Sequence, residues 1–442
     1  MRIFPAAAAA ALLACLIHVP PAAAQSADAE IATLVAKVQA ESIRQRQHIH
    51  QFPELGNREQ KTAALVAAHL RKLGIEVQTG IAHTGVVGIL KGQRDRPVIA
   101  IRADMDGLPV TEETDVPFKS TARGMYNGRE VGVMHACGHD IHVAALLGTA
   151  TVLTAIKAKL PGTVMFIFQP AEEGVPAGEN GGAKMMVEEG IFEKLKPDAV
   201  IALHANGDPP EEAGEDEHLG RVVYRPGPTF AAATRWNAIV TGRAAHGASP
   251  HLGVDPIVTA SEIVMSLQTI RSRVLSPLED MVITVGIFRA GDRHNIIPPS
   301  VELGGTIRTF DDDVLATIEK RMRDIFDGIT RAAHATFELE FDRSHPMTVN
   351  DPELTAQLVP TIERLVGKDR VRVVPAQTGA EDFSYFSNLV PGFYFSLGAV
   401  PEGKTSGGHH TATFYADDGA VPIGIRLLST LAVDYLNAGP AK

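Results

Sequence analysis

Four runs of unbroken apolar, largely β-branched residues constrain this chain most: "GVVGIL" (85–90), "PVIAIRAD" (97–104), "GTVMFIFQ" (162–169) and "DAVIALH" (198–204). A strand exposed on one face alternates apolar and polar residues, so a run without alternation predicts a strand buried on both faces. Between these runs lie segments with apolar residues at helical spacing, at 29–51, 58–73, from about 139 ("HDIHVAALLGTATVLTAI") and at 181–192. Gly74 is placed to close the second of these helices in the left-handed conformation. Strands alternating with helices predict an α/β domain, a doubly wound sheet covered on both faces.

The texture changes at about 229. "TRWNAIVTG", "MVITVGIF", "VELGGTIRTF" and "TFELEFD" alternate as half-exposed strands do, and two helical segments separate them. This strand-helix-strand-strand-helix-strand order predicts an inserted α+β (ferredoxin-like) domain. The expected division is a leader at 1–24, a catalytic domain at 25–228 and 344–442, and the insertion at 229–343. A chain of 442 residues with 45% hydrophobic content suits two such cores. The net charge of −11 and the 5% aromatic content argue against a nucleic-acid groove.

The chain opens "MRIFPAAAAAALLACLIHVPPAAAQ", an Arg followed by a short apolar run and small residues. This reads as a signal peptide cleaved after Ala24, hence an exported, periplasmic or secreted protein with no membrane span. Lipidation at Cys15 is the alternative. With Cys15 removed, Cys137 is the sole cysteine and no intramolecular disulfide is possible.

Ligand-type residues recur where the strands end, the edge at which doubly wound sheets bind their ligands. "ADMDGLP" carries Asp104 and Asp106, "FQPAEEG" carries Glu172 and Glu173, and "IALHAN" carries His204. "MHACGHD" puts Cys137 and His139 just before a helix, whose dipole favours a thiolate. "GGHHTATFYADD" adds His409 and His410. Thiolate, imidazole and carboxylate together suit Zn, Mn or Co, and adjacent glutamates allow one to bind metal while the other takes a proton. His48, His50, His69, His83, His142, His251, His294 and His345 are read as structural or surface residues, with His142 the candidate to support a ligand. "GAVPEGKT" (398–405) fits the phosphate-loop spacing, but its continuation, "SGGHHTATF", is a poor helix start, so nucleotide binding is not expected. No G-x-S-x-G occurs, which disfavours a serine hydrolase.

Seven stretches spread over residues 44–435 resemble the di-metal aminoacylase/carboxypeptidase family of zinc exopeptidases, in the branch of hippurate hydrolase, auxin-conjugate hydrolases and N-acyl-amino-acid amidohydrolases. They are "RQRQHIHQFPELGNREQKTA", "AIRADMDGLPV", "MHACGHDIH", "FQPAEEG", "GRAAHGASPHLGVDPI", "NIIPPSVELGGTIRTF" and "TGAEDFSYF". The resemblance implies a mixed-sheet catalytic domain of the zinc-exopeptidase type, with the insertion as a lid and dimerisation domain. It implies two divalent metal ions per subunit, held by Cys137, His139, Glu173, His204 and His410, with Cys137 bridging and Asp106 orienting a ligand. It implies Glu172 as general base, His246 as oxyanion stabiliser reaching a partner subunit's site in dimeric relatives, and Asn295 and Arg308 as holders of the substrate carboxylate. The implied reaction is hydrolysis of N-acyl amino acids or of C-terminal residues of short peptides by a homodimer. The competing reading is a non-catalytic protein of the same fold that binds metal or acyl-amino acids. The loops "EEGVPAGENGGAKMM" and "ANGDPPEEAGEDEHLG" are longer than is usual in the family and bear on substrate size.

Overall fold

A computed structural model describes residues 22–208 and 218–440. Two helices come first, α1 (Ala22–Gln51) and α2 (Gln60–Lys72). Gly74 ends the second at φ +72°, its N–H donating to the Arg71 carbonyl at 2.9 Å. Then follow β1 (Glu76–Ile81), β2 (Gly85–Lys91), β3 (Val98–Asp104), α3 (His139–Ala155), β4 (Thr163–Gln169), β5 (Ala199–Asn206) and β6 (Val222–Tyr224). The next segment holds β7 (Ala232–Thr241), α4 (Pro256–Thr269), β8 (Met281–Arg289), β9 (Ser300–Thr309), α5 (Asp312–Ala332) and β10 (Thr336–His345). The chain closes with α6 (Pro352–Val366), β11 (Val371–Val373), β12 (Gly392–Gly398) and α7 (Ala420–Ala438).

Eight strands form one mixed sheet in the order β1-β2-β4-β3-β5-β12-β6-β11. At its centre β4, β3, β5 and β12 run parallel, so their C-terminal ends meet at one edge. The unbroken apolar runs divide their side chains between two cores. Ile99, Ile101, Val164, Phe166, Phe168, Ile201 and Leu203 enter the larger core. Ala100, Met165, Ile167, Val200 and Ala202, one residue out of phase, enter the second with Phe383, Phe386 and Tyr394. Helix α3 is apolar on nearly every side and is buried against α1 and α7, as a helix lacking a polar face must be.

The inserted segment forms its own antiparallel sheet in the order β8-β9-β7-β10. Its core is Trp236, Ile263, Leu267, Leu303, Ile307, Ile318, Met322 and Phe326, contributed by the sheet and by α4 and α5. Asp255 and Asp311 cap those helices by accepting backbone N–H bonds. The two passages of chain into and out of this unit, Gly227–Phe230 and Thr348–Asn350, pair with each other.

The expectation of export requires correction. Helix α1 begins at Ala22 and runs without a break across the expected cleavage point after Ala24. The relatives named in the next subsection give no support for export either. The Cys15 alternative lies outside the described residues. Among the described residues no helix is long and apolar enough to cross a membrane. Residues 399–419, after β12, contain no helix, so the phosphate-loop spacing at 398–405 lacks the helix start that phosphate binding needs.

Because the inserted unit has a core of its own, Phe326→Ala should cost it about 3–5 kcal/mol. Urea denaturation should then show an early transition that leaves the metal content of the remaining fold unchanged. A single unshifted transition would contradict separate cores.

Candidate metal centre

The C-terminal ends of β3, β4, β5 and β12 supply most of the centre, and the N-terminus of α3 supplies the rest. Gly138, at φ +85°, turns the chain into α3, where an added Cβ would lie 3.0 Å from the Ala205 Cβ. That turn presents Cys137 and His139 together. The Cys137 Sγ lies 3.4 Å from His204 Nε2 and 3.4 Å from His409 Nδ1. Donor atoms of Cys137, His204 and His409 form one mutually close group, and those of Cys137, His139 and Glu173 form another, so the sulfur is common to both.

His139 is 1% exposed. Its Nδ1 donates to the Asp106 carbonyl at 2.9 Å. Its Nε2 has no hydrogen-bond partner and sits 3.7–4.0 Å from oxygens of Asp104, Glu172 and Glu173. A buried, unpartnered imidazole nitrogen facing carboxylates is what a cation site looks like without its cation. Asp106 also accepts the Glu173 backbone N–H at 3.0 Å, tying the two strand ends together.

Several supporting residues were not assigned from the sequence. Arg102 is fully buried and bonds Gln169, Asp104 (2.6 Å), Glu381 (2.8 Å) and Asp382 (3.2 Å). Tyr394 donates to Glu381 at 2.9 Å. His142 donates from Nδ1 to Asp104 at 2.5 Å, and its Nε2 accepts the Ala205 N–H at 2.7 Å. Both its nitrogens are therefore engaged, which fits the supporting role considered for it. Buried Glu59 accepts the Ala171 N–H at 2.8 Å and the Thr84 hydroxyl at 2.6 Å, bracing the turn before Glu172. Ala171 holds φ +51° there, a conformation that a non-glycine residue keeps only when its surroundings enforce it. His50, on α1, bonds Asp140 and Glu112 beneath the α3 N-terminus.

The electrostatics are dominated by buried carboxylates. Burial, then Glu381 and Glu173, push the Glu172 carboxyl well above its usual range. Burial would raise Asp104 too, but Arg102, His139 and His142 hold it well below. Burial opposes charge on His139, yet Asp104 and Asp106 lift it to about 10. Burial, then Glu173, Glu172 and Asp104, push the Cys137 thiol well above its ordinary value. Burial and three carboxylates thus oppose the helix dipole expected to favour the thiolate, and cations at the site would offset them. Burial keeps His204 neutral, assisted by His142 and His409, the form in which imidazole ligates metals. The donor set fits two divalent cations, with Cys137, His139, Glu173 and His204 positioned to hold them.

The structure brings both C-terminal histidines to the centre. His409 lies at Cys137 and His204, while His410 Nε2 lies 2.9 Å from Glu173 Oε1. His246, Asn295 and Arg308 all lie in the inserted unit. His246 is exposed, pairs with Ile296 and accepts the Ala248 N–H on Nδ1. Asn295 is exposed beside it, its carbonyl accepting the Gly247 N–H. Arg308 is half-buried on β9. Among the described residues no hydrogen bond or ion pair joins these three to the metal centre.

Comparison with known proteins agrees with this geometry. Residues 100–434 match peptidase family M20/M25/M40. The chain belongs to that family. It is 38% identical to thermostable carboxypeptidase 1 of Saccharolobus solfataricus over 395 residues, 89% of this chain and 94% of the relative. It is 35% identical to N-acetyl-L-cysteine deacetylase of Bacillus subtilis over 380 residues, 85% of this chain and 83% of the relative. Its fold resembles Bacillus subtilis YXEP, a dinuclear metal-binding M20 peptidase, with a TM-score of 0.75 and 30% identity over 91% of this chain and 99% of that one. As a member of M20/M25/M40 the chain is a hydrolase that cleaves amide bonds with two divalent metal ions.

Two outcomes follow from the charge balance. Metal uptake must displace protons from His139 and Cys137, so affinity should rise with pH. Calorimetry in buffers of different ionisation enthalpy should register proton release, and its absence would contradict a protonated His139 and Cys137 in the metal-free protein. Arg102→Leu strands the carboxylates it bridges and should destabilise the protein by about 3–5 kcal/mol, read as a lowered denaturation midpoint.

Proposed function

We propose that the chain hydrolyses N-acyl amino acids, or the C-terminal residue of short peptides, with Glu172 as general base. The observation that carries this reading is the different company of the two adjacent glutamates: Glu173 shares a donor group with Cys137 and His139 and lies 2.9 Å from His410, whereas Glu172, though 3.8 Å from His139 Nε2, shares one with Asp104 and Glu381. Cys137, His139, Glu173, His204 and His410 hold the metals, with Cys137 shared and Asp106 orienting His139. When bound, the two cations supply Lewis acidity toward the scissile carbonyl and lower the pKa of water at the site. Thiolate and imidazole donors suit Zn and the carboxylates suit Mn, so both are candidates, with Co a third.

Glu172 removes a proton from the attacking water and returns it to the leaving amine. Its buried surroundings favour holding that proton between the two steps. Asn295 and Arg308 take the substrate's carboxylate, for which the planar guanidinium of Arg308 is suited. His246 stabilises the oxyanion. Its exposure, and the lack among the described residues of any bond to the centre, support a homodimer in which the inserted unit carries His246 to the partner's site. The stretch after Glu173 is held by Asn57 and Arg58, which bond Glu179. We assign to it, with the loop after His204, the limits on acyl-group size.

Glu172→Gln should lower hydrolysis of an N-acyl amino acid panel about 10²–10⁴-fold while metal content stays at the wild-type level. Undiminished hydrolysis would remove Glu172 as the base. EDTA should abolish activity, and Zn, Mn or Co added to the apo-protein should restore it.

A further inference from the structure

The proposed ligand set leaves His409 without a role, although its donor atom belongs to the group of Cys137 and His204. His409 precedes the histidine to which the family resemblance gives the ligand position, yet it makes the closer approach to Cys137. Its ring packs at a tilt against His204, centroids 5.1 Å apart, and against Phe414 at 5.0 Å. Its Nδ1 faces the Cys137 Sγ at 3.4 Å. Its Nε2 lies 3.1 Å from Asn206 Oδ1, 3.3 Å from the Gly207 N–H and 3.8 Å from Asp208 Oδ1. Its own backbone N–H donates to Asp208 at 3.3 Å. Nδ1 is thus the nitrogen that faces the sulfur; the Asn206 and Asp208 oxygens can accept a proton on Nε2, the tautomer that a metal at Nδ1 requires, in place of the Gly207 N–H that Nε2 accepts here. An outer carbonyl or carboxylate fixing the tautomer is the usual arrangement behind a metal-bound histidine.

The backbone explains how neighbouring histidines serve different sides. His410 adopts φ +63°, an uncommon conformation for a non-glycine residue. Its N–H is tied to the Ala136 carbonyl at 2.8 Å, one residue before Cys137. This turn sends His409 toward Cys137 and His204 and His410 toward Glu173. Without His409 the Cys137–His204 half of the centre has only two protein donors; with it, both halves have at least three.

We infer that both histidines of the pair serve the metal centre, His409 completing the half formed by Cys137 and His204, and His410 serving the half that contains Glu173. This rests on the proposed two-metal ligand set. If His409 were only packing against Phe414, its removal would not alter the metal held at the sulfur.

The test uses full-length apo-protein titrated with Zn or Co, comparing wild type, His409→Ala, His409→Asn and His410→Ala. Circular dichroism of the apo forms checks folding, and the asparagine variant serves if the alanine variant does not fold. Wild type should hold two ions. The His409 variants should weaken one ion about 10–100-fold, a typical penalty for perturbing a metal site, and alter the thiolate-to-Co charge-transfer band. His410→Ala should keep that band. His409 variants with two ions and an unaltered band would overturn the role of His409 and leave the two-metal reading standing. A wild type that binds no ion would overturn both.

Discussion

Everything at this site depends on carboxylates crowded together at a largely buried edge of the sheet. Asp104, Asp106, Glu172, Glu173, Glu381 and Asp382 converge at one edge of the sheet, and among the described residues buried Arg102 is the one guanidinium bonded within the cluster. Burying unpaired charge is prohibitive, so such a cluster persists only if protons or cations neutralise it. In the metal-free protein burial and the neighbouring carboxylates favour the protonated forms of Glu172 and of the Cys137 thiol, and Asp104 and Asp106 favour charge on His139. Divalent cations replace those protons, and the same geometry that makes the apo site protonated makes it a strong metal ligand set.

The fold produces that convergence by simple means. Four neighbouring parallel strands end at the same edge: β3 and β4 lead there to Asp106 and to Glu172 and Glu173, β5 carries His204 near its end, and the chain after β12 returns with His409 and His410. Arg102 and Asp104 lie two apart on β3, so the pleat directs both to the same face as Ala100. Helix α3 enters from below with Gly138 as its pivot, and α1 secures its start through Arg46 and His50 bonded to Asp140. The inserted unit, with a separate core, is free to carry recognition residues without disturbing this frame.

Much of this was legible in the sequence. Apolar runs without alternation announced strands buried on two faces, and the change to alternation at about 229 announced the second sheet. Glu172, Glu173 and His204 stood out as acid and imidazole side chains at the ends of apolar runs, and Cys137 and His139 as a thiol and an imidazole just before a helix. The supporting residues were harder. Arg102 was visible as the single charge inside an apolar run, a signal of buried pairing, but its partners Glu381 and Asp382 lie 279 and 280 positions away. Glu59 looks like any charge before a helix, and only the fold shows it buried under Ala171. The choice between His409 and His410 could not be made from spacing, because a left-handed turn at His410 separates two side chains that adjacency alone would keep together. The apolar N-terminus misled, since the helix begun at Ala22 belongs to the folded domain.

The central claim is that one sulfur is shared by both halves of the centre. Metal stoichiometry of Cys137→Ser, measured by mass spectrometry on folded protein beside wild type, tests it most directly. Both ions should be weakened together and hydrolysis should fall with them, while the fold, read by circular dichroism, is retained. A Cys137→Ser protein that keeps two ions and the full hydrolytic rate would contradict it.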